Sequence, residues 1–477
     1  MNSTPAIDRR LRTTALLVAA CFFMENLDGT IVTTAAPRIG RALGVPATSV
    51  SLVIAAYLVT LAVLIPLSGW LAARWGARPV FLAAIAIFTI ASLGCALSSA
   101  FAELVAFRVA QGAGGAMMVP VGRLVVLSRT EKSQLLTITS LLVWPGLIAP
   151  VVAPLAGGLI TTYASWRWLF LVNAPLGVIA WTVAWRLIDG ARSADRPPLD
   201  VPGVVLTCAG LAAATYTAQL LSESVVRWTL VVVLAVAAAA LLTGAAVHLR
   251  RAAHPLVNLR TLRVTTFRAA LGSGSLFWST VTGVPFLLTL LFQEVFGWSP
   301  VKSGGLVLFV FVGNIAIKPA TTPLLRRFGF RAVLVAATAG AAVTMVAAGL
   351  FTAATPLVVI ALVSVLNGVG RSVGLTGYST IVFSDTPPEQ MRDANTLQAT
   401  AQQLSVGLGV PLAAIAIRAG RSLAGVFSNH PAPGDAYTVA FVLMAGVVLV
   451  ATAGALRLHP DAGSAVSRRA APSAEGA

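Results

Sequence analysis

Charge is scarce in this chain. Of 477 residues only 10% are Asp, Glu, Lys or Arg, where a soluble domain carries about 25%. With 57% hydrophobic residues and a mean hydropathy of +0.87, a soluble globular protein is excluded. Histidine is also rare. His248, His254, His430 and His459 fall at loops or ends of apolar runs and form no metal-ligand spacing, so no metal is expected. The three cysteines, Cys21, Cys95 and Cys208, lie inside apolar runs. They read as small buried hydrophobes, and no disulfide framework is implied. No Gly-rich loop ends in Lys-Ser or Lys-Thr, so direct use of ATP is not expected. With no polar catalytic cluster either, the sequence is not that of an enzyme, and no cofactor is expected.

What the chain does have is repeated apolar runs of about 20 residues, the length that crosses a bilayer. They are continuous and do not alternate with period two, so they predict helices rather than a barrel. About 14 spans are expected, near 14–36, 49–71, 78–98, 101–123, 134–160, 168–187, 202–221, 228–248, 267–292, 303–323, 331–351, 356–383, 395–418 and 436–456. Arg9-Arg10-Leu11-Arg12 before an apolar run has the look of a signal peptide. That run is too long and carries Glu25 and Asp28, so it is expected to be an uncleaved first span. With a cytoplasmic N-terminus, loops on that side hold roughly 22 Lys and Arg against about 6 on the other. Both termini are therefore expected in the cytoplasm, and an even span count agrees. The net charge of +17 lies in these short loops, where it sets topology and meets anionic lipid, so a nucleic-acid partner is not expected.

The chain repeats itself once. Leu71-Ala72-Ala73-Arg74-Trp75-Gly76-Ala77-Arg78 aligns with Leu324-Leu325-Arg326-Arg327-Phe328-Gly329-Phe330-Arg331. The first copy follows span 2 and the second follows span 10. A simple six-span repeat would place the second after span 8, so two spans are inserted between the halves. The expected organisation is an all-α polytopic protein in four parts. A six-helix half covers 14–187, a linker with two extra transmembrane helices 188–266, a second six-helix half 267–456, and a disordered cytoplasmic tail 457–477.

Five motifs fall in order along these spans. They are Leu27-Asp28-Gly29-Thr30-Ile31-Val32 with Ala36-Pro37, Gly69-Trp70-Leu71 through Arg78, and Arg108 with Gln111-Gly112 and Gly114-Gly115. Ala149 with Ala153-Pro154 and Gly157-Gly158, and Ser165-Trp166-Arg167-Trp168-Leu169-Phe170 with Asn173, Pro175 and Gly177, complete the set. Together they resemble the major facilitator superfamily, in particular its 14-helix drug:proton antiporter family, over roughly residues 14–456. The resemblance implies the major facilitator fold and alternating access. It also implies gating roles for Gly69, Arg74, Gly76, Arg78, Pro154, Gly157 and Gly158. Two departures stand out. Ala73 occupies the place of an aspartate that the family pattern links to the closed, outward-facing state, and Ala149 and Ala153 replace commoner glycines.

The chemistry rests on charges within spans, which are costly in hydrocarbon and mark functional sites. At 1.5 Å per residue, Asp28 lies roughly 4–5 Å, and Arg108 about 6 Å, to the outer side of the membrane centre. Arg108 is therefore expected close enough to Asp28 to bias its proton affinity, with a static ion pair as the structural alternative. Glu25, at i−3 from Asp28, shares its helix face and reads as a second proton site, a contact for a cationic substrate, or an acid in a polar seam. Gln111 is placed to bond Glu25 or to act as interhelical packing glue. Arg371 in span 12 can meet an anionic substrate group or a carbonyl, or snorkel, and snorkelling is expected of Lys318, Arg418 and Arg123. Trp166 and Trp168 fit an interfacial belt. The expected function is proton-coupled export of lipophilic drugs or toxic compounds across the bacterial inner membrane. Asp28, Glu25 and Arg108 would couple protons, and Glu25, Gln111 and Arg371 would bind substrate. Export of one endogenous metabolite is the alternative, and a non-transporting sensor is a further one. Expected partners are protons, the lipophilic substrate, the lipid bilayer and a periplasmic adaptor.

Overall fold

The computed structural model describes residues 8–189, 197–221, 226–427 and 434–463. Sixteen α-helices run through them. In the first half these are α1 (Arg9–Ala42), α2 (Ser51–Leu64), α3 (Leu67–Trp75), α4 (Ala77–Leu97), α5 (Phe101–Leu127), α6 (Leu135–Tyr163), α7 (Trp168–Leu171) and α8 (Asn173–Leu187). A pair follows, α9 (Val201–Leu221) and α10 (Trp228–Arg251). The second half holds α11 (Thr265–Leu290), α12 (Pro300–Ala316), α13 (Lys318–Gly349), α14 (Leu357–Ser384), α15 (Met391–Phe427) and α16 (Asp435–Leu456). Eleven described stretches are long and apolar enough to cross a bilayer, and twelve if the bent α2–α3 pair counts as one. The shorter apolar α12 and the 29-residue α6 account for the other two of the fourteen expected segments.

Proline and glycine shape the rods. α2 and α3 meet at a 59° bend beside Pro66, whose ring removes a helical hydrogen bond. The two aligned glycines share one conformation. Gly76 has φ 90°, ψ 150° and Gly329 has φ 77°, ψ 165°, a region open essentially to glycine alone. Each turns the chain at the same place in its half. These turns and the connections around residues 129–134, 197–200 and 252–264 each follow an even-numbered span, so the order of the spans puts them on one side, the basic face.

Two cores form. In the first half α1 packs along α6, and α4 along α5. In the second, α13 packs on α14 and α16, and α11 on α15. The inserted α9 packs on α10 and also touches α2 of one half and α15 of the other. Cys208 Sγ meets the Val63 carbonyl at 3.3 Å, and Arg418 Nη1 donates to the Leu221 carbonyl at 2.9 Å. Among the described residues, side-chain hydrogen bonds also join the halves toward the basic face. Asn395 Nδ2 donates to the Pro120 carbonyl (2.9 Å), Arg326 Nη2 to Thr137 Oγ1 (3.3 Å) and Arg123 Nη1 to Gln402 Oε1 (3.5 Å). The segment expected to be a disordered tail begins with Leu458 and Ala462 buried; residues 464–477 lie outside the described ones.

Candidate functional site

The first half carries a buried polar network built from five helices. Asp28 on α1 is 1% exposed and Arg108 on α5 is 0% exposed. Arg108 Nη1 donates to Asp28 Oδ2 and to Gln111 Oε1 at 2.7 Å. Its Nε donates to the Val53 carbonyl at 3.2 Å, and the guanidinium lies 4.2 Å from the Tyr57 ring centroid. The other oxygen of Asp28, Oδ1, accepts from Gln111 Nε2 at 2.9 Å and from Asn173 Nδ2 at 2.8 Å. Ser92 Oγ on α4 closes the ring, accepting from Gln111 Nε2 (2.5 Å) and Asn173 Nδ2 (3.3 Å).

Small residues let these helices meet. A Cβ at Gly112 would lie 2.7 Å from the Tyr57 carbonyl, and one at Gly114 2.7 Å from the Phe88 amide. α5 therefore approaches α2 and α4 closely enough for Arg108 and Gln111 to reach across. Such a pair contributes little net stability, because desolvation offsets attraction. Removing one partner strands the other charge and costs about 3–5 kcal/mol.

Glu25 lies one turn away and is in a different situation. It is buried, and its Oε2 has no hydrogen-bond partner. That oxygen lies 3.5 Å from where a Cβ at Gly115 would stand. The Tyr57 hydroxyl donates to the backbone carbonyl of Glu25 (3.2 Å) rather than to its carboxyl. Arg123 interacts electrostatically with Glu25, and Arg123 itself reaches Gln402 in the second half.

The second half holds buried cations. Lys318 and Arg371 are each 7% exposed. Lys318 Nζ donates to Thr376 Oγ1 at 2.7 Å. Arg371 Nη1 donates to the Val281 carbonyl at 2.9 Å, and its Nε has no partner. Among the described residues neither cation pairs with a carboxylate. Both amide atoms of Asn314 and the hydroxyls of Ser364 and Ser372 are also buried without partners.

Several expectations are corrected. Gln111 bonds Asp28, Arg108 and Ser92, not Glu25, because three residues from Arg108 it shares that residue's face. Lys318 and Arg123 do not snorkel; both are buried. The helix break at Ile317 before Pro319 sets Lys318 against α14. Arg371 meets a carbonyl, one of its two expected partners, and is buried rather than snorkelling. Trp166 is buried edge-on against Phe170, whereas Trp168 is exposed. Asp393, in the first turn of α15 ahead of the expected span, is also buried. Ser92 and Tyr57 were not singled out from sequence; a lone hydroxyl in an apolar run was their one signal.

At the basic face a Cβ on Gly69 would come 2.5 Å from Thr396 Oγ1 on α15, so the two halves touch there with no room for a side chain. Ala73 is buried. Arg78 Nη2 donates to the Trp185 carbonyl at 2.7 Å and lies over that ring, tying the Gly76 turn to α8. Arg74 sits half-buried beside it. Gly157 is buried on α6. Pro154 and Gly158 lie on the same helix, with their surroundings outside the described residues.

Comparison with known proteins gives a consistent result. The family model described as Major Facilitator Superfamily matches residues 18–410 and 284–474. A protein of Salmonella heidelberg (strain SL476) named "Putative multidrug resistance protein MdtD" is 36% identical over 402 residues, 83% of this chain and 84% of the relative. The protein of that name from Salmonella typhimurium is equally similar. The crystal structure of the human organic anion transporter MFSD10 (TETRAN) superposes with a TM-score of 0.66 at 16% identity, covering 94% of this chain and 100% of that one. The proton:xylose symporter XylE, bound to 6-bromo-6-deoxy-D-glucose, gives 0.60 at 12% identity, covering 93% of this chain and 94% of its own.

Proposed function

Because this chain belongs to the major facilitator superfamily, and is thus a membrane transporter, we propose that it exports lipophilic compounds in exchange for protons. Its basic face would lie in the cytoplasm of a bacterial cell. The observation that carries this reading is the contrast between two acids one turn apart. Asp28 has both oxygens occupied by donors. Glu25 has an oxygen with none, which leaves it able to take up a proton or meet a cation.

The halves are joined by hydrogen bonds toward the basic face, so the site between them would open to the other side. In this arrangement the Asp28 network fixes α1 against α4, α5 and α8. A proton on Glu25 would remove its attraction for Arg123 and leave that guanidinium to Gln402 in the other half. Proton loading would then strengthen a contact between halves, and proton release would weaken it. That is the linkage an antiporter needs, since a ligand shifts a two-state equilibrium only through differential interaction with the two states.

A second reading concerns the cargo. Lys318 and Arg371 are buried without carboxylates, which favours a substrate with an anionic group over a purely cationic one. A narrow range of such anions would make the protein an exporter of one metabolite.

The test is proton movement in everted vesicles on adding lipophilic dyes and amphiphilic acids, comparing wild type with Glu25→Gln and Asp28→Asn. Substrate-triggered proton release by wild type, lost in Glu25→Gln, is the expected result. Equal release by Glu25→Gln and wild type would remove Glu25 from coupling, and transport by wild type without proton movement would end the antiport reading.

A further inference from the structure

The connection between the inserted helix pair and the second half lines an open cavity of about 590 Å³ at the basic face. Four arginines line it: Arg250 from the end of α10, Arg260 and Arg263 from the short 3-10 helix Leu259–Arg263, and Arg268 from the first turn of α11. No acidic residue lines it, and among the described residues none of the four pairs with a carboxylate. Leu259 and Leu262 give it an apolar wall. Four like charges around one cavity repel each other, so a purely structural role would favour their dispersal or neutralisation.

The walls are held in place from below. Asp200, at the foot of α9, accepts from His248 Nε2 (2.6 Å), the Gly203 amide (3.0 Å) and the Leu256 amide (3.1 Å). Asn258 Oδ1 caps the next turn by accepting from the Arg260 amide at 3.0 Å. Leu256 and Val257 are buried among Leu67, Trp70 and Leu397. The loop is therefore built rather than loose, and it presents its guanidiniums into a common space.

From this geometry we propose that the cavity binds phosphate groups. Guanidinium forks match phosphate oxygens in pairs, and four of them suit a ligand with two phosphates or one doubly charged phosphate. A site of this chemistry at the end of two membrane helices takes either an anionic phospholipid headgroup, with acyl chains along the leucine wall, or a free phosphate of the cytoplasm. Because its walls come from the inserted pair and from α11, occupancy would fix the extra helices to the second half.

The test uses full-length protein, delipidated in a neutral detergent, with native mass spectrometry as readout. Cardiolipin and phosphatidylcholine are the lipid probes, and inorganic pyrophosphate is the soluble one. The expected result is retention of cardiolipin over phosphatidylcholine, weakened about tenfold or more in Arg260→Gln/Arg263→Gln. Unliganded melting should be unchanged in that variant, showing that it folds. An Arg326→Gln/Arg327→Gln variant of the other basic turn should bind like wild type. Retention of pyrophosphate, lost in the same cavity variant, supports the proposal with a soluble ligand. Equal retention of cardiolipin and phosphatidylcholine without pyrophosphate binding, or equal weakening in both double variants, overturns it in favour of diffuse surface charge.

Discussion

The two halves carry similar turns but treat buried charge in opposite ways. In the first, a carboxylate and a guanidinium are matched to each other and to two amides, leaving Glu25 as the acid with an open oxygen. In the second, Lys318 and Arg371 are buried against a hydroxyl and a carbonyl, with Asn314, Ser364 and Ser372 unsatisfied nearby. A satisfied network fixes geometry. Unsatisfied buried polar groups cost free energy and ask for a ligand, water or another state. Under the proposed function, this contrast would put proton handling in the first half and cargo recognition in the second.

The strongest way to break this division is Arg108→Met. It strands Asp28 at a destabilisation of about 3–5 kcal/mol, so a large drop in melting temperature and loss of transport are expected. The double variant with Asp28→Asn should regain part of the stability without regaining transport. Melting curves and vesicle flux on the same preparations decide this.

Glu25→Gln sharpens the division. With no donor to lose at Oε2, the variant should melt within a few degrees of wild type while its transport loses dependence on the proton gradient. Flux at fixed substrate across a range of imposed gradients is the measurement. On the other side, Lys318→Met removes a buried cation and should leave stability equal or higher. It should raise KM for amphiphilic anions about tenfold, the scale of one lost charge-assisted bond, and leave neutral substrates alone. Equal effects on neutral and anionic substrates would make Lys318 structural.

A smaller effect tests the repeat. Gly76→Ala and Gly329→Ala each force a side chain into a conformation costing of order 1–3 kcal/mol. The Gly329 position has open space around it, so its loss should reflect the backbone alone.

The smallest effect concerns pH. Burial raises the Asp200 carboxyl, but the His248 ring and the Gly203 and Leu256 amides outweigh it and hold it below its ordinary range. A depressed carboxyl stabilises the fold above its unfolded value and loses that contribution as pH falls through the folded one. Protection of the Leu256 amide from hydrogen exchange should therefore fall below about pH 4, and Asp200→Asn should lower it already at neutral pH.

Much of this was legible in the sequence, and the reason differs by feature. Helices follow from the length of apolar runs. The Gly76 and Gly329 turns follow because one residue type tolerates their backbone. Arg108 meets Asp28 as depth arithmetic predicts, since rise per residue is nearly constant. What depth cannot supply is azimuth. Gln111 stands at a level where Glu25 was in reach, but it points the way Arg108 points. Lys318 looked like a span-end residue until the break at Ile317 turned it inward. The lone hydroxyls of Ser92 and Tyr57 were too weak a signal, because serine in an apolar span usually bonds back to its own helix and a tyrosine there reads as packing.

The inserted helix α9 is fastened at two depths to two different bodies. Near its basic-face end Cys208 holds α2 of the first half. At its far end Leu221 holds Arg418 of the second. If the halves rock as the proposed alternating access requires, a rod fastened to both cannot follow both. Each cycle must make one of these fastenings slip or bend the rod. In such a cycle the extra pair would act as a brake, governing how fast the protein works rather than what it carries.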